Sequence, residues 1–267
     1  MLPYDGMTRI RFKGCVSLRR PTSAQTPSRD VKLKELWNNR KGLVHFGVST
    51  MNIEQARFNM IEQQIRTWDV LDQEILNLLS KVKREEFVPQ TYRTLAFVDM
   101  EIPLGHNELM MQPKLEARIV QELAIKKTDK ILEVGTGSGY LTALLAHQGH
   151  HVHSVDIVPE FKTQAEAKLR AHGFANASLE VGDAARGWPR HGPYDVIVLT
   201  GSTPILPEAF VHDLKPGGRL FAIVGDAPAM QAQLVTCVAE GAYNTVTLFE
   251  TNIKPLVNAL QPERFVF

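Results

Sequence analysis

The chain has 267 residues, 44% of them hydrophobic and 22% charged, enough apolar material for a sizeable core in one or two domains. No apolar run is long enough to span a bilayer, and the two cysteines, Cys15 and Cys237, lie far apart without metal-ligand spacing. That usage fits a cytoplasmic protein with incidental thiols and excludes a disulfide framework.

The formal net charge of +1 hides an uneven distribution. Residues 1–50 hold ten Lys or Arg against Asp5, Asp30 and Glu35, and are rich in Ser, Thr and Pro. Three readings fit: a basic transit segment, a nucleic-acid-binding arm, or a disordered extension. Phe12 and Trp37 are too scattered for a stacking surface, and Arg19-Arg20 is not followed by an apolar run. The expectation is therefore a disordered basic extension over 1–50, with Met51-Asn52-Ile53-Glu54 as a natural start and no nucleic-acid partner.

From Met51 the pattern turns helical. Ile53, Phe58, Ile61 and Ile65 predict one amphipathic helix over 52–66. Thr67 to Val70 breaks it, and Asp69 or Asp72 caps a second helix with Leu71, Ile75, Leu78, Leu79 and Val82 on one face. Arg84-Glu85-Glu86-Phe87-Val88-Pro89 ends it, so helices over 51–90 form a small N-terminal layer. A loop from Ala96 to Pro113 precedes a helix from about Lys114 to Ala124.

Lys130 to Val134 is a short apolar strand that carries Glu133. Gly135-Thr136-Gly137-Ser138-Gly139 then turns into a helix that starts at Tyr140. Glycines let a ligand approach the backbone, and a helix start offers free N–H groups. A dinucleotide fingerprint would carry its third glycine at Tyr140, and no lysine follows as in a phosphate-binding P-loop. The pattern resembles motif I of the S-adenosylmethionine-dependent methyltransferases; the alternative is a plain tight turn between strand and helix. Val152 to Asp156 is a second strand ending in an acid, either a ribose ligand or a helix cap. Leu179 to Ala184 is a third, ending in Gly182-Asp183, where Asp183 and Ala184 border the adenine in such methyltransferases. Tyr194–Thr200 and Leu214–Val224 complete the apolar strands, and Pro159 to His172 reads as a helix between strands. The expected fold is α/β: a doubly wound, mostly parallel Rossmann-like sheet spanning 51–267 with its helical N-terminal layer. His147, His150, His151 and His153 cluster along the chain without an acid to complete a ligand set, so no metal is expected.

A more specific resemblance runs through the whole of 51–267. Its carriers are Arg66-x-x-Asp69, Arg84-Glu85-x-Phe87-Val88-Pro89, Ile102-Pro103-Leu104-Gly105, Gln112-Pro113, the glycine turn, Gly182-Asp183, Pro204, Pro207, Gly217-Gly218 and Lys254-Pro255-Leu256-Val257. This order resembles the protein-L-isoaspartate O-methyltransferases. The resemblance implies S-adenosylmethionine as cofactor, bound by Glu133, Gly135, Thr136, Gly137, Ser138, Gly139, Asp156, Asp183 and Ala184. It implies methylation of the carboxylate of isoaspartyl residues in damaged proteins and peptides, by a monomer. The family's active-site Ser or Thr hydroxyl falls on Met111, with Leu109 at a nearby threonine position. A thioether donates no hydrogen bond. Lys114 is the candidate substitute, its plainer reading being a solvated residue at a helix start. Two other readings stay open: a small or apolar acceptor beside Met110-Met111, and cofactor binding without catalysis.

Overall fold

The computed structural model describes residues 52–263. The expectation of a disordered extension over 1–50 lies outside the described residues.

The N-terminal layer is less regular than its periodicity predicts. Helix α1 (Ile53–Met60) starts at Asn52, whose side chain accepts from the Gln55 N–H. The helix then widens to a π turn over Ile61–Ile65 and tightens to a 3-10 turn over Arg66–Trp68. A single regular helix over 52–66 is therefore corrected. The change of pitch keeps Met60, Ile61 and Ile65 inside while Phe58 is exposed. Asp72 caps α2 (Gln73–Lys81), accepting from the Glu74 N–H at 2.8 Å. Ile75, Leu78, Leu79 and Val82 are buried as the pattern requires. Leu71 precedes the cap and is 70% exposed, so it does not belong to that face. The loop before α3 (Pro113–Leu123) contains a short antiparallel hairpin, β1 (Ile102–Gly105) and β2 (Glu108–Met110), which periodicity did not reveal.

The main sheet follows in strand–helix alternation: β3 (Lys130–Val134), α4 (Tyr140–Gln148), β4 (His151–Asp156), α5 (Pro159–Ala171), β5 (Ala177–Val181), β6 (Tyr194–Thr203), α6 (Glu208–His212) and β7 (Leu214–Val224). β8 (Met230–Ala239) and β9 (Ala242–Thr251) close it. The order is β5-β4-β3-β6-β7-β8-β9. The first five strands in that order are mutually parallel; β8 and β9 are antiparallel additions at the far edge. Alternate side chains enter two separate cores, as a sheet covered on both faces demands. Ile131, Val152, Val196, Val198 and Phe221 pack toward the N-terminal helices, while Leu132, Val134, Ile197, Leu199 and Leu220 pack on the opposite face with Phe210 of α6. Consecutive crossovers leave in opposite directions from β3 and β6. The crevice at the carboxyl ends of those strands is where open α/β sheets bind ligands.

Candidate active site

Beyond Val134 the chain must turn sharply under β6. Gly135 has φ +99°, and a Cβ there would lie 2.1 Å from Thr200 Oγ1. That hydroxyl donates to the carbonyls of Val134 and Gly135, both at 2.9 Å, and so locks the turn to β6. Gly139 plays a packing part, since a Cβ there would meet Ala165 of α5 at 2.8 Å. Asp156 ends β4 beside the turn. Its Oδ2 accepts from the Gly137 N–H and its Oδ1 from the Val158 N–H, each at 2.8 Å. Burial pushes its acid up, against the pull of these backbone donors.

Behind the turn lies a buried polar network. Glu133 Oε2 accepts from Thr142 Oγ1 at 2.5 Å and from Ser154 Oγ at 2.6 Å, and Ser154 Oγ is 2.6 Å from Thr136 Oγ1. The network joins β3, β4, the glycine turn and α4. Burial pushes the Glu133 acid up to about 8, partly opposed by the Ser154 and Thr142 hydroxyls. Burial thus holds the group toward its neutral form against two hydroxyl donors that favour its charge.

The other side of the crevice comes from distant segments. Arg84, wholly buried, pairs with Glu116 of α3 and donates to the Ala96 carbonyl at 3.0 Å and the Met111 carbonyl at 2.7 Å. Burial pushes its guanidinium down to about 10. Arg84 thus clamps the backbone at Met111, while its neighbour Glu85 pairs with Arg57 of α1. The C-terminal segment docks along β6: the Ser202 N–H donates to the Lys254 carbonyl at 3.0 Å, and the Leu256 N–H to the Ser202 carbonyl at 2.9 Å. Leu256 comes so close that a Cβ on Gly201 would meet its Cδ2 at 2.9 Å. Lys254 Nζ then reaches back to the hairpin, donating to Glu108 Oε1 at 2.5 Å and to the Asn107 carbonyl at 2.6 Å.

These parts enclose a cleft of about 790 Å³, its open mouth included. Of the residues expected at the site, Met111, Gly135, Gly137, Asp156, Asp183 and Ala184 line it. Glu133, Thr136, Ser138 and Gly139 stand behind its wall as supports. Lys114 is elsewhere: its ammonium pairs with Asp99 at 2.7 Å and lies 5.0 Å from the Trp68 ring centre. The plainer reading of Lys114 is the one its contacts favour. Sequence reasoning missed Glu101, Glu108, Phe161, Thr200 and Lys254, which also line the cleft. Phe161 and Thr200 had a local signal, since each follows a strand or turn already marked. Lys254 stood in the Lys254-Pro255-Leu256-Val257 motif without a role of its own, and Glu101 and Glu108 had no signal.

One expectation about the histidines is corrected. An acid does join them: the ligand atoms of His153, Glu180 and His191 lie within 4.8 Å of one another, because β5 runs beside β4. The His153 and His191 rings stack 4.2 Å apart at 11°, so their lone pairs run parallel instead of converging. Glu180 is engaged by Arg190 at 2.6 Å and by His191 at 2.5 Å. Burial and the neighbouring histidines push His153 down to about 4.

Among the described residues, no helix is long and apolar enough to cross a membrane. The family model "Protein-L-isoaspartate(D-aspartate) O-methyltransferase (PCMT)" matches residues 55–260. A protein-L-isoaspartate O-methyltransferase of Opitutus terrae is 35% identical over 228 residues, 84% of this chain and 93% of the relative. Another, from Gloeobacter violaceus, is 36% identical over 197 residues, 74% of this chain and 96% of the relative. A solved Plasmodium falciparum structure, described as a beta-aspartate methyltransferase in complex with S-adenosyl-L-homocysteine, has a TM-score of 0.64 at 18% identity, covering 77% of this chain and 98% of that one. At that identity the likeness is one of fold. Family match and sequence relatives agree over the segment that builds both sides of the cleft, and the chain belongs to the protein-L-isoaspartate(D-aspartate) O-methyltransferase family.

Proposed function

We propose that this chain is an S-adenosylmethionine-dependent O-methyltransferase acting on the α-carboxylate of isoaspartyl residues, the first step of a repair in which the ester collapses to a succinimide. The observation that carries it is the cleft at the switch between β3 and β6, with bare glycine backbone and Asp156 facing one space. The residues suit the cofactor. A Cβ on Gly137 would sit 3.2 Å from Leu104 across the cleft, so the absence of a side chain keeps the space open. Asp156 and Asp183 offer acceptors to hydroxyl and amino groups, and Ile157, Phe161 and Ala184 offer apolar surface. Gly135, Gly137, Asp156, Asp183 and Ala184 would hold the cofactor, with Glu133, Thr136, Ser138 and Gly139 fixing the turn from behind.

Bound there, S-adenosylmethionine supplies a methyl group on a sulfonium, which an oxygen nucleophile takes while the sulfur keeps the electron pair. A peptide α-carboxylate is ionised at neutral pH and needs no general base. The work left to the protein is orientation of the acceptor and exclusion of water. Arg84 holds the Met111 segment, Lys254 ties the hairpin to the C-terminal segment, and Gly201 admits Leu256 against β6.

The cleft is complete within one chain, which supports a monomer. Among the described residues, Glu101, Glu108, Asp156 and Asp183 line it against the single base Lys254, a balance that opposes entry of a phosphate backbone and supports a protein over a nucleic-acid substrate. Two cysteines without a partner spacing support a cytoplasmic setting. A second reading, an apolar acceptor, is favoured by Leu109 and Met111 on the cleft wall. Labelled methyl transfer to an isoaspartyl peptide, beside the same peptide with ordinary Asp, decides between them. The proposal expects label on the first only. Cofactor binding with no label on the isoaspartyl peptide overturns it.

A further inference from the structure

We propose that Lys254 is the counter-ion that receives the acceptor's carboxylate, and that Glu108 is a built-in stand-in for that carboxylate until the acceptor enters. The inference rests on the isoaspartyl reading above and names the group that reads its acceptor. A carboxylate entering this cleft meets Glu101, Glu108, Asp156 and Asp183 on the lining, with Lys254 as the one base among the described lining residues. It also leaves water, which is costly without a compensating partner. Met111 offers no donor. Lys114 is held outside the cleft by Asp99.

Lys254 is built for the part. Its backbone is fixed on β6 through Ser202, whose Oγ also donates to the Ile253 carbonyl at 3.1 Å. Among the described residues, its ammonium is tethered only to the hairpin, through Glu108 and Asn107. The Lys254–Glu108 pair is partly solvated, with side chains 32% and 26% exposed. A pair of that exposure is loosely held, unlike the buried Arg84–Glu116 pair. Exchanging one carboxylate for another leaves the charge balance at Nζ unchanged, and the freed Glu108 rehydrates at the mouth. The device also selects: an isoaspartyl linkage presents a free α-carboxylate to Nζ, its α-amide presents no charge to pair with, and an ordinary aspartyl residue carries its free carboxylate on the side chain, displaced from that position.

The test uses the full chain saturated with S-adenosyl-L-homocysteine, titrated by calorimetry with an isoaspartyl peptide and with its α-amide. Methylation kinetics on the isoaspartyl peptide run in parallel. Wild type should bind the acid at least about tenfold tighter than the amide, the scale of one hydrogen bond to a charged group. Lys254→Met should erase that difference and raise KM, while affinity for S-adenosyl-L-homocysteine stays within about twofold. Lys254→Arg should restore most of the discrimination, and Glu108→Gln, by removing the competitor, should lower KM. Acid-over-amide discrimination that survives in Lys254→Met overturns the inference. If wild type neither binds nor methylates the peptide, the isoaspartyl reading falls by itself. Succinate and benzoate then serve as probes: binding lost in Lys254→Met upholds the lysine's role, and binding that persists or never occurs overturns it.

Discussion

At the end of the cleft proposed to hold the cofactor, Gly137 and Asp156 meet although they are 19 positions apart, through consecutive strand–helix units. At the acceptor end, Lys254 meets Glu108 across 146 positions, and Arg84 reaches the Met111 carbonyl across 27. The first end is made of backbone and short side chains fixed by local turns. The second is made of long charged side chains that hold separate segments together. A βαβ unit positions its own ligand groups, whereas an acceptor site assembled from a hairpin, a helix start and a C-terminal strap depends on tertiary contacts for its existence. The two ends should therefore fail differently when disturbed.

The largest effect is expected at Arg84. Arg84→Met leaves Glu116 buried without its partner, a change that costs about 3–5 kcal/mol of stability in comparable sites. It also frees the Met111 backbone. Urea unfolding should show the loss, and Arg84→Met combined with Glu116→Leu should recover much of it. Full recovery of stability without recovery of methyl transfer would separate the fold role of this pair from its role in holding Met111.

Asp156→Ala disturbs the cofactor end alone. It should weaken S-adenosylmethionine binding by about 1.5–3 kcal/mol, the worth of a hydrogen bond to a charged group. Unchanged affinity by calorimetry would mean that Asp156 serves only to cap the Gly137 and Val158 N–H groups.

Met111→Ser sharpens the acceptor end. The hydroxyl adds a donor on the cleft wall beside the one supplied by Lys254, and should raise kcat/KM for isoaspartyl peptide by up to about tenfold. Affinity for S-adenosylmethionine should stay as it is. A neutral result would show that the acceptor is already fully supported at its carboxylate.

The last effect concerns pH. Burial raises the Glu133 acid from its ordinary 4.5 to about 8, so the folded chain holds a proton there that the unfolded chain releases. Its contribution to stability is full below pH 4.5 and is lost as pH rises through about 8. Glu133→Gln carries no titrating proton and keeps an acceptor for Thr142 and Ser154. It should flatten this part of the stability–pH profile, so that the variant gains on wild type as pH rises from about 5 to about 8 and no further above it. Parallel profiles across that range would show that Glu133 is ionised in the fold.

Strand Lys130–Val134, the glycine turn, the acid at 156 and the Gly182-Asp183 turn were legible because each feature is local. A strand end needs an apolar run, a tight turn needs glycine, and an edge acid needs only its position. Glu133 was legible as part of the same motif from its spacing to Gly135, and only the structure shows it wholly buried and bonded to Thr142 and Ser154 behind the turn. β8 and β9 were not read, because Met230–Ala239 mixes Gln and Thr into a half-covered strand and β9 is an exposed edge. The turn of pitch inside 52–66 was hidden as well, since apolar spacing alone does not distinguish a regular helix from one that widens.

By itself, then, the sequence determined the parallel α/β core, the order of its turns and the family to which the cleft belongs, because short-range spacing dictates strand, turn and helix start. Which charges share the cleft depends on how distant segments pack. That tertiary packing sent Lys114 to Asp99, brought Glu180 to the histidines, anchored Met111 on Arg84 and carried Lys254 to the hairpin. Charged side chains act through space over several ångströms, and the distances that decide their partners are set by packing of segments that no local pattern relates.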